Sequence, residues 1–165
     1  MSTDIHLTID GVEVSQAEID YEHFRHNLIL ALQGTEDITP PARETIITQI
    51  VQLRAVFCLG EIKGVVALPQ EVHERIAKFK SSMEGSAVFN EKVSEFGQDR
   101  FWEFETKRYA AIISTEKIKS ALMEKEKLRY EHKEGQLSEE SLKLFARKEF
   151  DDLLVEAVGL LKVSA

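Results

Sequence analysis

Two histidines on one predicted helix are the first residues whose spacing could do chemistry. His23 and His26 stand three positions apart, which places both imidazoles on one side of a helix, and Glu22 adds a carboxylate beside them. A metal site needs a third and a fourth ligand at defined spacing, and the other three histidines lie far away in sequence. We therefore interpret this pair as ordinary polar or half-buried side chains and predict no metal site and no cofactor.

Neighbouring acids are the second candidate chemistry, a paired general acid and base. Glu103 and Glu105 are two positions apart and Asp151 and Asp152 are adjacent, so on a helix the members of each pair point in different directions. We interpret all four as surface charge. The single cysteine, Cys58, lies in the apolar run AVFCLG and is interpreted as a buried, inert side chain. With no phosphate loop, G-x-S-x-G or H-E-x-x-H motif, the sequence predicts a protein that is not an enzyme.

Four aromatic residues form the most unusual cluster in the chain. Phe101, Trp102, Phe104 and Tyr109 fall within nine residues and occupy more than one side of a helix, so one flat contact with a core would not cover all of them. Either two neighbouring elements sandwich this helix, or part of the cluster lines an apolar groove for another polypeptide. We take the four residues as candidate polypeptide-binding residues.

Composition and charge restrict the class of protein. The chain of 165 residues has a net charge of −8, and residues 1–40 hold eight acids against one base, Arg25. This acidic segment argues against a nucleic-acid partner. No uninterrupted apolar run approaches the roughly 20 residues of a membrane span, so we expect no membrane insertion. The first residues carry no secretory signal, so we expect a cytoplasmic protein, although an exported protein whose signal had been removed would look the same.

Turn and capping residues predict the elements that must position these side chains. Asp10-Gly11 between two short β-prone runs predicts a type I′ hairpin within residues 5–14, and Ser15 then caps a helix with Glu18 at the capping-box position. A second helix opens at Thr39-Pro40. The sequence predicts a single domain over 1–165, mainly α, with a small sheet formed by the hairpin and a C-terminal strand. The predicted helices are about 16–33, 40–63, 69–83, 88–96, 98–130 and 138–158, and the predicted strand is 160–164.

The order and spacing of these elements resemble those of the helical module in the SurA/PrsA class of chaperone–foldases. The helical arms of trigger factor are similar to the same module. The resemblance covers nearly the whole chain. The matching stretches are IDGVEVSQAEI at 9–19, ETIITQIVQLRAVFCLGEIKGVVALPQEV at 44–72, FNEKVSEFGQDRFWEFETKRYAAIISTEKI at 89–118, and the last helix followed by LLKVSA at 160–165.

The resemblance implies a chaperone module without the family's enzymatic domain. Full-length members generally insert a parvulin-type prolyl isomerase domain between the long helix and the last one. Here that position, between about Tyr130 and Ser138, holds only EHKEGQL. The family also implies that residues 161–164 lie beside 5–9 or 12–14, because an isolated two-stranded hairpin is marginal in water. A detachable terminal strand would allow two chains to exchange elements and form a homodimer.

Two functions from different classes follow. The first is an ATP-independent molecular chaperone, a holdase or assembly factor, whose clients are unfolded or nascent polypeptides bound through apolar surface. The second is a non-enzymatic adaptor or structural subunit with one dedicated protein partner, in which the same surface is a permanent interface.

Overall fold

A computed structural model describes residues 5–35, 41–130 and 138–165. In these ranges it confirms the predicted fold class, mainly α with a small antiparallel sheet built from both ends of the chain. The elements found there are, in chain order, β1 (Thr8–Ile9), β2 (Val12–Glu13), α1 (Gln16–Leu32), α2 (Arg43–Lys63), α3 (Pro69–Met83), α4 (Ala87–Phe96), α5 (Gln98–Tyr130), α6 (Glu139–Leu160) and β3 (Val163–Ser164).

Several element ends differ from the sequence-based expectation. Helix α6 runs to Leu160, so the last strand is limited to Val163–Ser164 and is shorter than the predicted 160–164. The predicted start of the second helix at Thr39-Pro40 lies outside the described residues, as does most of the predicted insertion point, residues 131–137.

The three strands form a sheet with the order β2-β1-β3, which we call the terminal sheet. Asp10 and Gly11 have φ angles of 52° and 78°, the left-handed pair that a type I′ turn requires. Strand β1 pairs antiparallel with β3, with Ile9 opposite Val163. Beyond this ladder, the Asp10 amide donates to the Lys162 carbonyl at 2.8 Å, and the Lys162 amide donates to the Asp10 carboxylate at 2.8 Å. The predicted pairing of the N-terminal hairpin with the C-terminal strand is therefore confirmed.

The terminal sheet covers one part of the hydrophobic core. Leu7 is fully buried, and Ser15 caps α1 directly after the hairpin by accepting from the Glu18 amide at 3.2 Å. Partly buried Leu161, just before β3, packs against the same cluster. The buried members of this cluster are Ile5, Leu7, Ile9, Val14, Ile19, Ile46, Ile50 and Val51. The terminal sheet is therefore part of a buried apolar cluster that is much larger than its two-residue strands.

Helix α2 is packed against both α5 and α6. Its length and composition would also suffice to cross a membrane, although polar residues and Arg54 interrupt the apolar run of Arg43–Lys63. In this fold, part of the helix is buried in the core, which accounts for its apolar face. The core cluster that it shares with α5 and α6 consists of Ala55, Val56, Leu59, Ala111, Ile118, Phe150 and Ala157.

Gly60 lies buried inside α2, which continues to Lys63 and is capped by Gly64 with φ 64°. The chain then turns back, and a Cβ atom added at Gly60 would lie 2.8 Å from the Val65 carbonyl oxygen. This position therefore needs glycine because of a close backbone approach.

Replacing Gly60 with alanine should lower the free energy of unfolding by about 1–3 kcal/mol, because the Val65 backbone would have to move. Gly159→Ala is the matched control. That helical position has no atom within 4 Å of an added Cβ, so alanine should raise stability by about 0.5–1 kcal/mol. Denaturant unfolding followed by circular dichroism measures both. Stabilisation by both substitutions would contradict the close approach at Gly60.

Candidate functional site

Helix α5 is packed on more than one side, which explains why aromatic residues occupy several of its faces. Helix α3 contacts it on one side, and α1 and α4 contact it on another. Phe101 is only 1 % exposed and makes edge-to-face contacts with Phe24 and Phe89, each with ring centroids 5.8 Å apart. The structure therefore places Phe101 in the core, and in this fold it offers no surface to a polypeptide.

The other three aromatic candidates are half-buried. Phe104 stacks on Tyr21 with ring centroids 5.2 Å apart, and Lys107 Nζ lies 5.1 Å from the centre of the Phe104 ring. The Tyr109 ring lies 5.7 Å from that of Phe79. Burial, followed by the nearby Glu105 carboxylate, raises the pKa of Tyr109. These two residues thus contribute to helix packing while keeping some exposed surface.

Trp102 lies in an open groove between α3 and α5, which we call the α3–α5 groove and which encloses about 610 Å³. Trp102, Thr106 and Ala110 recur every four residues along α5 and so present one face to it. Helix α3 contributes the opposite wall, and Phe57 and Ala67 close the groove. The residues from α3 are Pro69, Val72, His73, Ile76 and Lys80.

The lining of the groove is mostly apolar, and both of its permanently charged side chains are lysines. Lys80 Nζ lies 4.6 Å from the centre of the Trp102 ring, a cation–π distance. Lys107 enters from the α5 side. The geometry suits an apolar ligand that also carries negative charge.

The segment that links α2 to α3 is fixed on α5 by polar contacts. The Ala67 amide donates to Ser114 Oγ at 3.2 Å, and Lys117 Nζ donates to the Val66 carbonyl at 3.2 Å. Lys117 also pairs with the Glu71 carboxylate at 2.5 Å. That contact and a hydrogen bond from the backbone at the helix start hold the pKa of Glu71 below its ordinary value. These contacts position one wall of the groove.

A buried polar cluster joins α1 to α5 on the other side. The Tyr21 hydroxyl donates to Glu105, whose carboxylate also lies 3.4 Å from Arg25 Nε. Glu105 is 1 % exposed, so its interpretation as surface charge is wrong, because α1 covers that face of α5. Burial, reinforced by the Glu105 charge, raises the pKa of Tyr21, which keeps its phenol protonated as a donor.

A second buried pair joins the same helices. Arg108 Nη2 contacts both carboxylate oxygens of Glu22, at 2.6 and 2.5 Å, and the Glu22 side chain is 1 % exposed. Burial raises the pKa of Glu22, although Arg108 opposes this shift. Since Glu22 is committed to Arg108, it is not free to act as a ligand beside His23.

The remaining candidate residues form no reactive site. His23 and His26 are half-buried, and no group of three or more potential metal ligands occurs within 5–35, 41–130 and 138–165. Cys58 is a half-buried free thiol rather than a fully buried one. Asp151 and Asp152 are exposed, as their interpretation as surface charge requires.

Sequence reasoning missed the α3–α5 groove because its residues look like ordinary core positions. Val72 and Ile76 are four positions apart on α3, which is the spacing of an ordinary core face, and nothing in this spacing indicates an open groove beside Trp102. The sequence did offer one indication of the groove, which is that Lys80 follows the apolar residues of this face of α3. No protein-family model, curated protein or solved structure matches the chain. Its function is therefore inferred from this geometry.

Proposed function

We propose that this protein is an ATP-independent molecular chaperone that binds unfolded or partly folded polypeptides in the α3–α5 groove. The observation that carries the proposal is the groove itself, an open apolar channel of about 610 Å³ beside the half-buried Trp102. Exposed apolar surface of this kind marks interaction sites, and a groove between two helices suits an amphipathic chain segment.

The nature of the groove favours binding over catalysis, which supports the proposal that the protein is not an enzyme. An active site usually combines a pocket with several convergent polar groups of perturbed pKa. Among the groups whose pKa is raised here, Tyr21, Glu22 and Arg108 belong to the buried contacts between α1 and α5. Tyr109, whose pKa is also raised, packs on Phe79. The groove lining contains none of these four residues.

The architecture also supports a chaperone module of the SurA/PrsA type. The pairing of β1 with β3 is the arrangement that this resemblance implies for the two ends of the chain. Residues 131–137 are too few for an inserted isomerase domain, so the proposal carries no prolyl isomerase activity. It includes no cofactor and no nucleic-acid partner.

Trp102→Ala should weaken client binding about tenfold or more, because a tryptophan at the centre of an apolar site typically contributes 2 kcal/mol or more to binding. The measurement is suppression of aggregation of a denatured client against chaperone concentration. Leu144→Ala is the matched control, since Leu144 is an exposed apolar residue on α6, outside the groove lining.

Trp102 also packs on Phe79 and Phe89, so a second variant separates folding from binding. Thr106→Glu changes an exposed residue of the groove lining and would place a carboxylate over the apolar floor. It should impair suppression while leaving the unfolding temperature unchanged. Wild-type suppression by both folded variants would show that the groove is not the client site.

A second candidate function, an adaptor with one dedicated partner, is favoured by exposed apolar residues close to the groove. Ile62, Val66 and Leu68 are 61 %, 55 % and 55 % exposed at the end of α2 and in the link to α3. Together with the groove they would provide the larger apolar surface that a permanent interface needs. Suppression of aggregation of unrelated clients by the purified chain favours the chaperone, whereas solubility only in the presence of one co-expressed partner favours the adaptor.

A further inference from the structure

We propose that the α3–α5 groove selects acidic amphipathic segments, in which apolar side chains fill the groove and flanking carboxylates meet its lysines. This inference rests on the proposed polypeptide-binding function and adds to it the chemical class of client segment. The two lysines of the groove lining contrast with the net charge of −8 of the whole chain, which by itself disfavours acidic partners.

The charges around the groove have one sign where a ligand would lie. Lys80 and Lys107 line it from opposite helices, and no carboxylate is among its lining residues. The acids of α3 face away, because Glu71 and Glu74 line a separate depression with Arg75 on another side of that helix. Glu103 on α5 lies 3.9 Å from Lys107 in an exposed pair, a weak contact that a ligand carboxylate could replace.

Both lysines combine a charge with an apolar contact. Lys80 Nζ lies 4.6 Å from the centre of the Trp102 ring inside the groove, and Lys107 Nζ lies 5.1 Å from the centre of the Phe104 ring, which is outside the groove lining. A bound segment with apolar residues directed at Trp102 and Ile76 would place its flanking positions beside these two groups. Carboxylates there form ion pairs, whereas lysines there meet like charge.

Trp102 provides a direct readout, because it is the only tryptophan in the chain and lies in the groove. Three tryptophan-free amphipathic peptides with identical apolar positions are titrated against it. Their polar positions carry glutamate, glutamine or lysine. We expect the glutamate peptide to bind about tenfold more tightly than the lysine peptide at low ionic strength, and the difference to shrink as salt is added.

Lys80→Glu with Lys107→Glu should reverse this preference. Lys125→Glu with Lys148→Glu makes the same change of net charge at two exposed positions outside the groove and should preserve it. Equal affinities for the three peptides, or tighter binding of the lysine peptide, would overturn the acidic preference while leaving polypeptide binding intact. Failure of all three peptides to perturb Trp102 would overturn both the preference and the proposed function.

Discussion

Replacing Arg108 with methionine should lower the free energy of unfolding at neutral pH by about 3–5 kcal/mol, because the Glu22 carboxylate would remain buried without its cation. This is a large part of the 5–15 kcal/mol that typically separates a folded domain from its unfolded chain. Urea denaturation measures the loss. Arg75→Met is the matched control, since the Arg75–Glu116 pair is exposed at both ends and should contribute less than about 1 kcal/mol.

The pH dependence of the stability of the Arg108→Met variant shows whether the buried Glu22 carboxylate causes the loss. Burial already raises the pKa of Glu22, and removing Arg108 should raise it further. The folded state would then bind a proton more tightly than the unfolded chain, so the lost stability should return as the pH falls through this raised pKa. Adding Glu22→Gln to Arg108→Met removes the titrating group and should abolish this recovery. Equal losses in Arg108→Met and Arg75→Met would show that Glu22 is not buried with Arg108.

Deleting residues 161–165 should release the N-terminal hairpin. The truncation removes β3, both hydrogen bonds between Asp10 and Lys162, and the apolar cover from Leu161. The hairpin that remains has two strands and is marginal in water. Loss of about 3 kcal/mol of local stability, from these hydrogen bonds and the burial of one leucine, corresponds to amide exchange about a hundredfold faster.

Hydrogen exchange at residues 8–14 measures this release, and amides of α3 provide an internal reference because that helix does not contact the terminal sheet closely. Lys162→Ala is the control, since both contacts of Lys162 with Asp10 use backbone atoms of Lys162 and survive the substitution. Unchanged protection of the hairpin after truncation would contradict its dependence on β3.

The features that the sequence predicted correctly are those encoded by local signals. Asp10-Gly11 can adopt the positive φ angles of a type I′ turn, and Ser15 places a helix start directly after it. These signals depend on neighbours within a few positions, so they can be interpreted without knowing the fold. The pairing of the two chain ends is the exception, since it was implied by the resemblance to the SurA/PrsA class and agreed with the need of a short hairpin for a third strand.

The features that the sequence did not predict depend on contacts between distant residues. Glu22 and Arg108 are 86 positions apart, and nothing in the sequence around either residue indicates that it pairs with the other. Phe101 and Trp102 are adjacent, yet one helical step of about 100° turns the first into the core and leaves the second in a groove. Only the placement of α3 and α4 around α5 decides which of the two can meet a ligand.

The terminal sheet also bears on the order in which the fold forms. Asp10 and Lys162 are 152 positions apart, so their contact closes a loop that spans nearly the whole chain. The helix-to-helix contacts close shorter loops and have a lower entropic cost, so we expect the sheet to form last. Until then the hairpin lacks its third strand, and the β3 segment of a second molecule can supply it. We therefore propose that refolding at high protein concentration favours an exchanged homodimer, and refolding at low concentration the monomer.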